Sequence, residues 1–356
     1  MGATMLETGQ NVSLRDLFAH KLRMFRLVRR TNGLFTAMCE FVYQCCKPLV
    51  YGYTKLSWWW YRTRGRTTLL VLGNQFSVHP QDKGVSIELA VYRVHEPCTS
   101  RLLTQCLQPG MTVVDIGCNI GYYALLEARR VGPTGKVIAI EPEPENARLF
   151  LQNVQANGYR NVVFHQVAIS DRNGTLPLRV SDKSNRHSLN PVPWPTTDIQ
   201  VTVSTLDSLI AKDPPESVDL VRMDLEGHEV VVLPGMLHTI QKYSPRLLVE
   251  IHPDLLGAQR VVQWLGTLRE FGYRPEWLFD QERDTPLRWR FLKPETPTME
   301  ELISDPRIHS EPKRPLMALF SRDAAVRPAL LRKDLAVALG QPLALAAESS
   351  PTVCLE

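Results

Sequence analysis

The sequence predicts an α/β fold: a mostly parallel sheet with helices on both faces, preceded by an N-terminal helical extension. Three observations predict it. In residues 110–141 an apolar run ends in Asp115-Ile116-Gly117-Cys118-Asn119-Ile120-Gly121, a helical pattern follows, and a second apolar run stops at Glu141. Strand, Gly-rich turn, helix and strand make a βαβ unit. Two later apolar runs also end in charge, one at Asp224-Leu225-Glu226-Gly227-His228 and one at Glu250-Ile251-His252. Helical patterns at 143–157 and 255–272 flank these runs, the alternation expected when parallel strands are joined by crossover helices.

Taken in order, Ser13-Leu14-Arg15-Asp16 has the form of a capping box with Asp in the Glu place, and Leu14, Leu17, Phe18, Leu22, Phe25 and Val28 follow at helical spacing. Arg23, Arg26, Arg29 and Arg30 gather towards the end of that helix. Residues 34–60 are apolar and aromatic, but Glu40, Lys47 and Pro48 interrupt them, which argues against a membrane-spanning helix. The basic helix and the cluster Trp58-Trp59-Trp60-Tyr61 suit an anionic membrane surface; the plainer alternative is an extension packed on the main domain. Residues 67–78 read as a hairpin around Gly73-Asn74, and 86–93 and 98–107 as helices. The helix at 143–157 should turn Ala147, Phe150, Leu151 and Val154 inward. Strands are expected at 161–169, 175–180, 199–203, 217–223 and 246–251, with a short helix at 205–210 and a longer one reaching about Tyr243. Residues 275–279 and 287–292 would close the sheet as an antiparallel pair. The polar, Pro-rich residues 182–197 form a loop long enough to suggest a functional role. Beyond Lys293 the chain reads as a peripheral Pro- and Ala-rich tail, giving three segments: 1–66, 67–294 and 295–356.

Charge and cysteines bound the setting. Residues 1–66 hold eleven Lys/Arg against three acidic residues, +8, whereas the whole chain carries +4, so the remainder is −4. Basic character therefore belongs to the N-terminal segment. Seven cysteines without a CxxC repeat indicate neither a disulfide framework nor a zinc knuckle. A reducing, cytoplasmic setting follows, peripheral at a membrane if residues 1–66 reach one. The first residues have no basic-then-apolar leader pattern, and the lipidation signals at Gly2 and Cys354 are incomplete.

The Gly turn has the spacing Gly-x-Asn-x-Gly, which departs from the Gly-x-Gly-x-x-Gly of dinucleotide sites. A crevice that meets its ligand with acids suits the cationic S-adenosylmethionine. Glu141, closing the second strand, has two acceptor oxygens for two ribose hydroxyls.

The stretches DIGCNIGYYAL, VIAIEPEPENARLF, MDLEGHEVVVLPG and PRLLVEIHP, in this order and separation, resemble the FkbM family of S-adenosylmethionine-dependent methyltransferases. The resemblance spans residues 85–292, and Asp-x-Glu-Gly is its most specific part. It implies a class I methyltransferase (Rossmann-like) fold and O-methylation of a hydroxyl on a sugar or other small natural product. Cys118 stands where the family usually has Ala. On this resemblance Asp115, Gly117, Asn119 and Gly121 form the methionine-side wall, Glu141 holds the ribose, and Gln166, Val167 and Ala168 border the adenine. Asp224 and Glu226 face the transferred methyl group.

A hydroxyl is a weak nucleophile, so a base is required near it. Glu226 and His252 are the first candidates, with Asp224 beside them; His187, His228 and Glu250 are expected to meet the substrate. The same acids and histidines have the chemistry of a divalent-metal site, but their spacing specifies none, and a metal-free base is the expectation. The expected partner is a small molecule or glycan. The catalytic half lacks the aromatic–basic alternation of a nucleic-acid platform. Methylation of protein or nucleic acid, and an inactive cofactor-binding scaffold recruited by its N-terminal helix, are the competing functions.

Overall fold

The computed structural model describes residues 14–64, 68–289, 292–311 and 313–322. Ser13 of the capping box, Thr67, Arg290, Phe291, the tail from Ala324, and the side chains of Arg23, Arg26, Arg29 and Arg30 lie outside the described residues. The first element, α1 (Leu14–Thr63), is one helix of 50 residues that continues through Pro48. At 1.5 Å per residue it is about 75 Å long. The sequence suggested an interrupted stretch there, but one proline removes a single backbone bond, and the helix carries on either side of it. Near its end Trp58 and Tyr61 are buried and stacked, with ring centroids 5.6 Å apart. Thr54 Oγ1 lies 2.7 Å from the Tyr92 hydroxyl, and the Arg288 guanidinium lies 4.8 Å over the Tyr43 ring. The outer face leaves Leu49, Leu56 and Trp60 in solvent. No helix among the described residues is long and apolar enough to cross a membrane.

A hairpin follows, β1 (Thr68–Val71) and β2 (Asn74–Ser77). Its turn residues Leu72 and Gly73 both have positive φ, the backbone a two-residue hairpin requires. Helices α2 (Val85–Tyr92) and α3 (Pro97–Cys106) lead into the main sheet.

Seven strands make that sheet, in the order β11-β12-β10-β9-β3-β4-β5. They are β3 (Thr112–Ile116), β4 (Lys136–Ile140), β5 (Val162–His165), β9 (Leu220–Met223), β10 (Arg246–Ile251), β11 (Tyr273–Asp280) and β12 (Leu316–Arg322). Only β12 runs antiparallel to its neighbours. This is the class I methyltransferase arrangement that the resemblance implied. Helices α4 (Tyr122–Val131) and α5 (Pro144–Ala156) cross between β3, β4 and β5, and α6 (Leu206–Ile210), α7 (Glu229–Val232), α8 (Leu237–Tyr243), α9 (Pro253–Leu256) and α10 (Ala258–Glu270) follow. Adjacent strand residues point to opposite faces. Accordingly Val114 packs in one buried cluster with Val221 and Val249, and Val113 in the other with Val137 and Leu248.

Four expectations need correction. Residues 287–289 belong to a turn, and the partner of β11 is β12, drawn from the segment read as a tail. That segment also forms α11 (Met299–Ile303), with a full Thr298–Glu301 capping box, and α12 (Pro306–His309). Its apolar run Leu316–Phe320 is completely buried, which overrides the proline-rich composition around it. Leu151 of α5 is exposed, and Leu149 is the residue turned inward. The expected strand at 161–169 divides after His165: β6 (Ala168–Ile169) joins β7 (Gly174–Val180) and β8 (Thr197–Ser204) in a separate small sheet. Residues 181–196 loop from this sheet over the carboxyl ends of β3, β4 and β9.

Candidate active site

A cleft with about 840 Å³ of empty space opens at those strand ends. Gly117, Asn119 and Glu141 line it, together with Val167, Ala168, Asp224, Glu226, His187 and His228.

The Gly turn is held from three sides. Gly117 and Cys118 donate their N–H groups to the Ile140 carbonyl at 2.9 and 3.0 Å. Asn119, at φ +52, donates its side-chain amide to the Ser184 carbonyl at 2.7 Å. That bond fastens the loop of residues 181–196 onto the turn. Gly117 has φ +83, and a β-carbon there would lie 2.5 Å from the Asp224 carbonyl oxygen. Glycine is therefore required both for its conformation and for the close approach.

Glu141 is 5% exposed and accepts the N–H groups of Asn119 and Glu143 at 3.0 and 2.9 Å. The Asn146 side chain also hydrogen-bonds this carboxylate, and Glu141 lines the cleft. Burial raises its pKa to about 7, although the two backbone N–H groups work against that. The cleft thus offers a glycine turn and a buried carboxylate on its lining, chemistry that fits the methionine and ribose ends of S-adenosylmethionine.

Other expected cofactor residues lie elsewhere. Asp115 is fully buried behind the turn, where its Oδ1 accepts from Arg222 Nη1 at 3.0 Å; it positions the turn rather than lining the cleft. Gly121 caps α4 at φ +95, where a β-carbon would strike Phe150 and Leu125, so its role is packing. Gln166 is exposed and does not line the cleft, because the chain leaves the main sheet at that point.

Sequence reasoning missed Arg222. It is buried within β9, bonds Asp115 on one side and Asp224 at 3.2 Å on the other, and lies 4.1 Å over the Tyr123 ring. A charged residue inside the apolar run of residues 217–223 was the available signal. Tyr123 in turn donates to Glu96 at 2.6 Å, and His95 bridges Glu96 and Glu88 at 3.2 and 2.8 Å. Burial opposes ionisation of Glu96, yet His95, Arg222 and Tyr123 hold its pKa at about 2.

On the acceptor side, Glu226 takes up a left-handed backbone at φ +49, followed by Gly227 at φ +90. Such strain in a residue with a β-carbon persists only where surrounding structure enforces it. Here the Glu226 carbonyl accepts the Ser188 hydroxyl at 3.0 Å, and Glu229 Oε1 accepts the Leu225 N–H at 2.8 Å. His252 is buried behind Glu226 and does not line the cleft. Its Nε2 lies 3.6 Å from Glu226 and 3.5 Å from Glu250, and its Nδ1 lies 3.2 Å from Glu229. The Nδ1 contact is close but off the line of a hydrogen bond. Burial disfavours the imidazolium, but the carboxylates of Glu229, Glu250 and Glu226 outweigh it and raise the pKa well above 6.5. Burial likewise raises Glu226 to about 8, with His252 pulling the other way.

The expected substrate residues divide. His187 lines the cleft, with Nδ1 accepting the Ser181 N–H at 3.1 Å. His228 also lines it, but Ser170 and Asn190 occupy both ring nitrogens at 3.0 and 3.1 Å, and burial lowers its pKa to about 4. Both of its nitrogens are thus already engaged by the protein. Glu250 sits behind the wall with His252. Asp224, Glu226 and His252 bring one donor atom each to within 4.8 Å of one another, but Arg222 already engages Asp224.

The family model described as a methyltransferase FkbM domain matches residues 115–275. The chain is 27% identical over 179 residues to the 2-O-methyltransferase NoeI of Sinorhizobium fredii, covering 45% of this chain and 70% of that one. It is 29% identical over 165 residues to the hexuronic acid methyltransferase AglP of Haloferax volcanii, covering 43% and 60%. A protein-L-isoaspartate O-methyltransferase of Aeropyrum pernix is 41% identical over 70 residues, covering 20% and 26%. The chain thus spans between 26% and 70% of these relatives' own lengths. Residues 115–275 thus match the methyltransferase FkbM domain, and they lie within a sheet of class I methyltransferase strand order.

Proposed function

We propose that the protein transfers the methyl group of S-adenosylmethionine to a hydroxyl of a sugar, with Glu226 accepting the hydroxyl proton. The observation that carries this reading is the presence of Glu226 on the same cleft wall as the cofactor turn. Two relatives whose names give a 2-O-methyltransferase and a hexuronic acid methyltransferase support a sugar acceptor.

When bound, S-adenosylmethionine supplies an electrophilic methyl group. Methyl transfer is an in-line displacement, so the protein's task is alignment and proton removal. Glu141 would receive the ribose hydroxyls, and Gly117 and Asn119 would hold the methionine end. Val167 and Ala168 give an apolar border for the adenine. Glu226, raised to about 8, is a carboxylate with unusual affinity for a proton, which suits a general base near neutral pH. His252 acts through Glu226 and is a positioning residue. Arg222 commits Asp224 at 3.2 Å, so proton removal is assigned to Glu226 without a metal.

The test is to incubate the purified protein with labelled S-adenosylmethionine and defined glycans, then locate the label. Methyl groups on hydroxyl oxygens support the reading. Absence of S-adenosylmethionine binding, or label on carboxylate or nitrogen alone, overturns it.

A second reading concerns α1. Leu34, Met38, Val42, Leu49, Tyr53, Leu56 and Trp60 are all exposed and recur every three to seven residues along one helix face. With the +8 charge of residues 1–66, this face suits peripheral contact with an anionic bilayer.

A further inference from the structure

Beside the cofactor cleft lies a larger groove, with about 2000 Å³ of space open to solvent, between α1 and the catalytic domain. Lys47, Lys55 and Arg62 line it from α1, and Lys83, Lys183 and Arg186 line it from the domain. Glu88 is its one acidic lining residue among those described. Lys83 is ion-paired with Asp182 at 2.7 Å. Lys55, Arg62, Lys183 and Arg186, however, make no ion pair within 4 Å among the described residues.

Like charges gathered between low-dielectric walls create a potential that concentrates anions. That potential runs against the chain's own balance, since residues 67–356 carry −4. The groove is also aromatic: Tyr51 and Trp59 line it and are 53% and 60% exposed. Flat, amphipathic rings are suited to the apolar faces of sugar rings. Asn185 lines both cavities and so stands between them. Arg186, next in the chain, acts on Glu226 electrostatically.

We propose that this groove binds the anionic portion of the methyl acceptor, a glycan bearing carboxylate or phosphate groups, and delivers one of its hydroxyls past Asn185 to Glu226. The inference rests on the methyltransfer reading and adds the acceptor's charge to it. A neutral sugar would leave Arg62 and Lys183 without an anion, and Lys55 and Arg186 with only the Tyr51 and Trp194 rings 4.4 and 5.2 Å away. A nucleic acid would extend beyond the groove onto a domain of the wrong sign.

The full chain is titrated with four probes of equal length: a hyaluronan tetrasaccharide, a phosphorylated maltotetraose, neutral maltotetraose and a uridine tetranucleotide. At least one acidic glycan is expected to bind roughly tenfold or more tightly than the neutral one, and added salt should weaken it. The tighter of the two acidic probes identifies carboxylate or phosphate as the charge. The double substitution Lys55→Glu and Arg62→Glu should remove most of that preference while S-adenosylmethionine affinity stays unchanged. Equal binding of acidic and neutral glycans, tighter binding of the tetranucleotide than of either acidic glycan, or indifference to the charge reversals overturns the inference. S-adenosylmethionine titrated into the same sample separates the two readings. Its failure to bind strikes the methyltransfer reading, whereas intact binding without an acidic preference strikes this one alone.

Discussion

A β-carbon on Gly117 would lie 2.5 Å from the carbonyl oxygen of Asp224, so no side chain fits between the two residues. The Gly turn is thereby locked to the strand end that carries Asp224 and Glu226. Gly117→Ala should cost about 1–3 kcal/mol from backbone strain alone, and the clash should add to it and weaken S-adenosylmethionine binding. Gly132, at φ +69 with nothing within 4 Å of a β-carbon, is the control. Calorimetric titration and thermal unfolding of both alanine variants check this: equal effects would show that the Asp224 contact is unimportant.

On the proposed role of Glu141 as the ribose acceptor, its carboxylate must be ionised to accept two hydroxyls, and its pKa is raised to about 7 by burial. Cofactor affinity should therefore fall as pH drops through 7, by about tenfold per unit well below it. In the ligand-free protein the sign is opposite. A carboxyl raised from 4.5 to about 7 binds its proton more tightly folded than unfolded, so stability falls as pH rises across that window. Glu141→Gln should flatten the binding curve and weaken affinity by roughly 1–3 kcal/mol.

Glu226→Gln should lower turnover by about 10²–10⁴ while leaving cofactor affinity unchanged. In the unaltered protein, turnover should climb with pH through about 8, as Glu226 loses its proton. His252→Gln removes a positive charge 3.6 Å away, so the midpoint should move upward. A midpoint that stays in place would deny His252 its positioning role.

Arg222 joins Asp115 and Asp224 in a buried triad. Arg222→Met leaves two acids without their cation and should destabilise the fold by about 3–5 kcal/mol. Urea denaturation measures the loss.

Extensive dialysis against EDTA should leave turnover intact, because Asp224 is engaged by Arg222. A loss restored by magnesium would instead make Asp224, Glu226 and His252 a metal site.

The parallel strands and the Gly turn were legible because each carries a local signature, an apolar run ending in charge or glycine. Asp224, Glu226 and Glu141 line one cleft for the same reason: strand ends in such a sheet face a common crevice. Asp115 lies behind the turn because a residue inside a strand can point to either face, and only packing against Arg222 decides which. Gln166 lies off the cleft because the chain changes sheets between His165 and Ala168, a tertiary event with no local mark. Likewise Leu316–Phe320 looked peripheral until its neighbours were known: its surroundings are rich in proline, and its partners lie more than 35 residues away in β11 and more than 60 away in β10.

That late strand has a consequence for biosynthesis. Because β12 lies between β10 and β11, the nascent chain presents β10 with an open hydrogen-bonding edge until residue 322 clears the ribosome. The helices Met299–Ile303 and Pro306–His309 emerge before it, so the sheet is completed by a strand that fills a gap rather than extends an edge. Stalled or prematurely terminated chains would expose that gap, and they are the species on which chaperones and proteases would act.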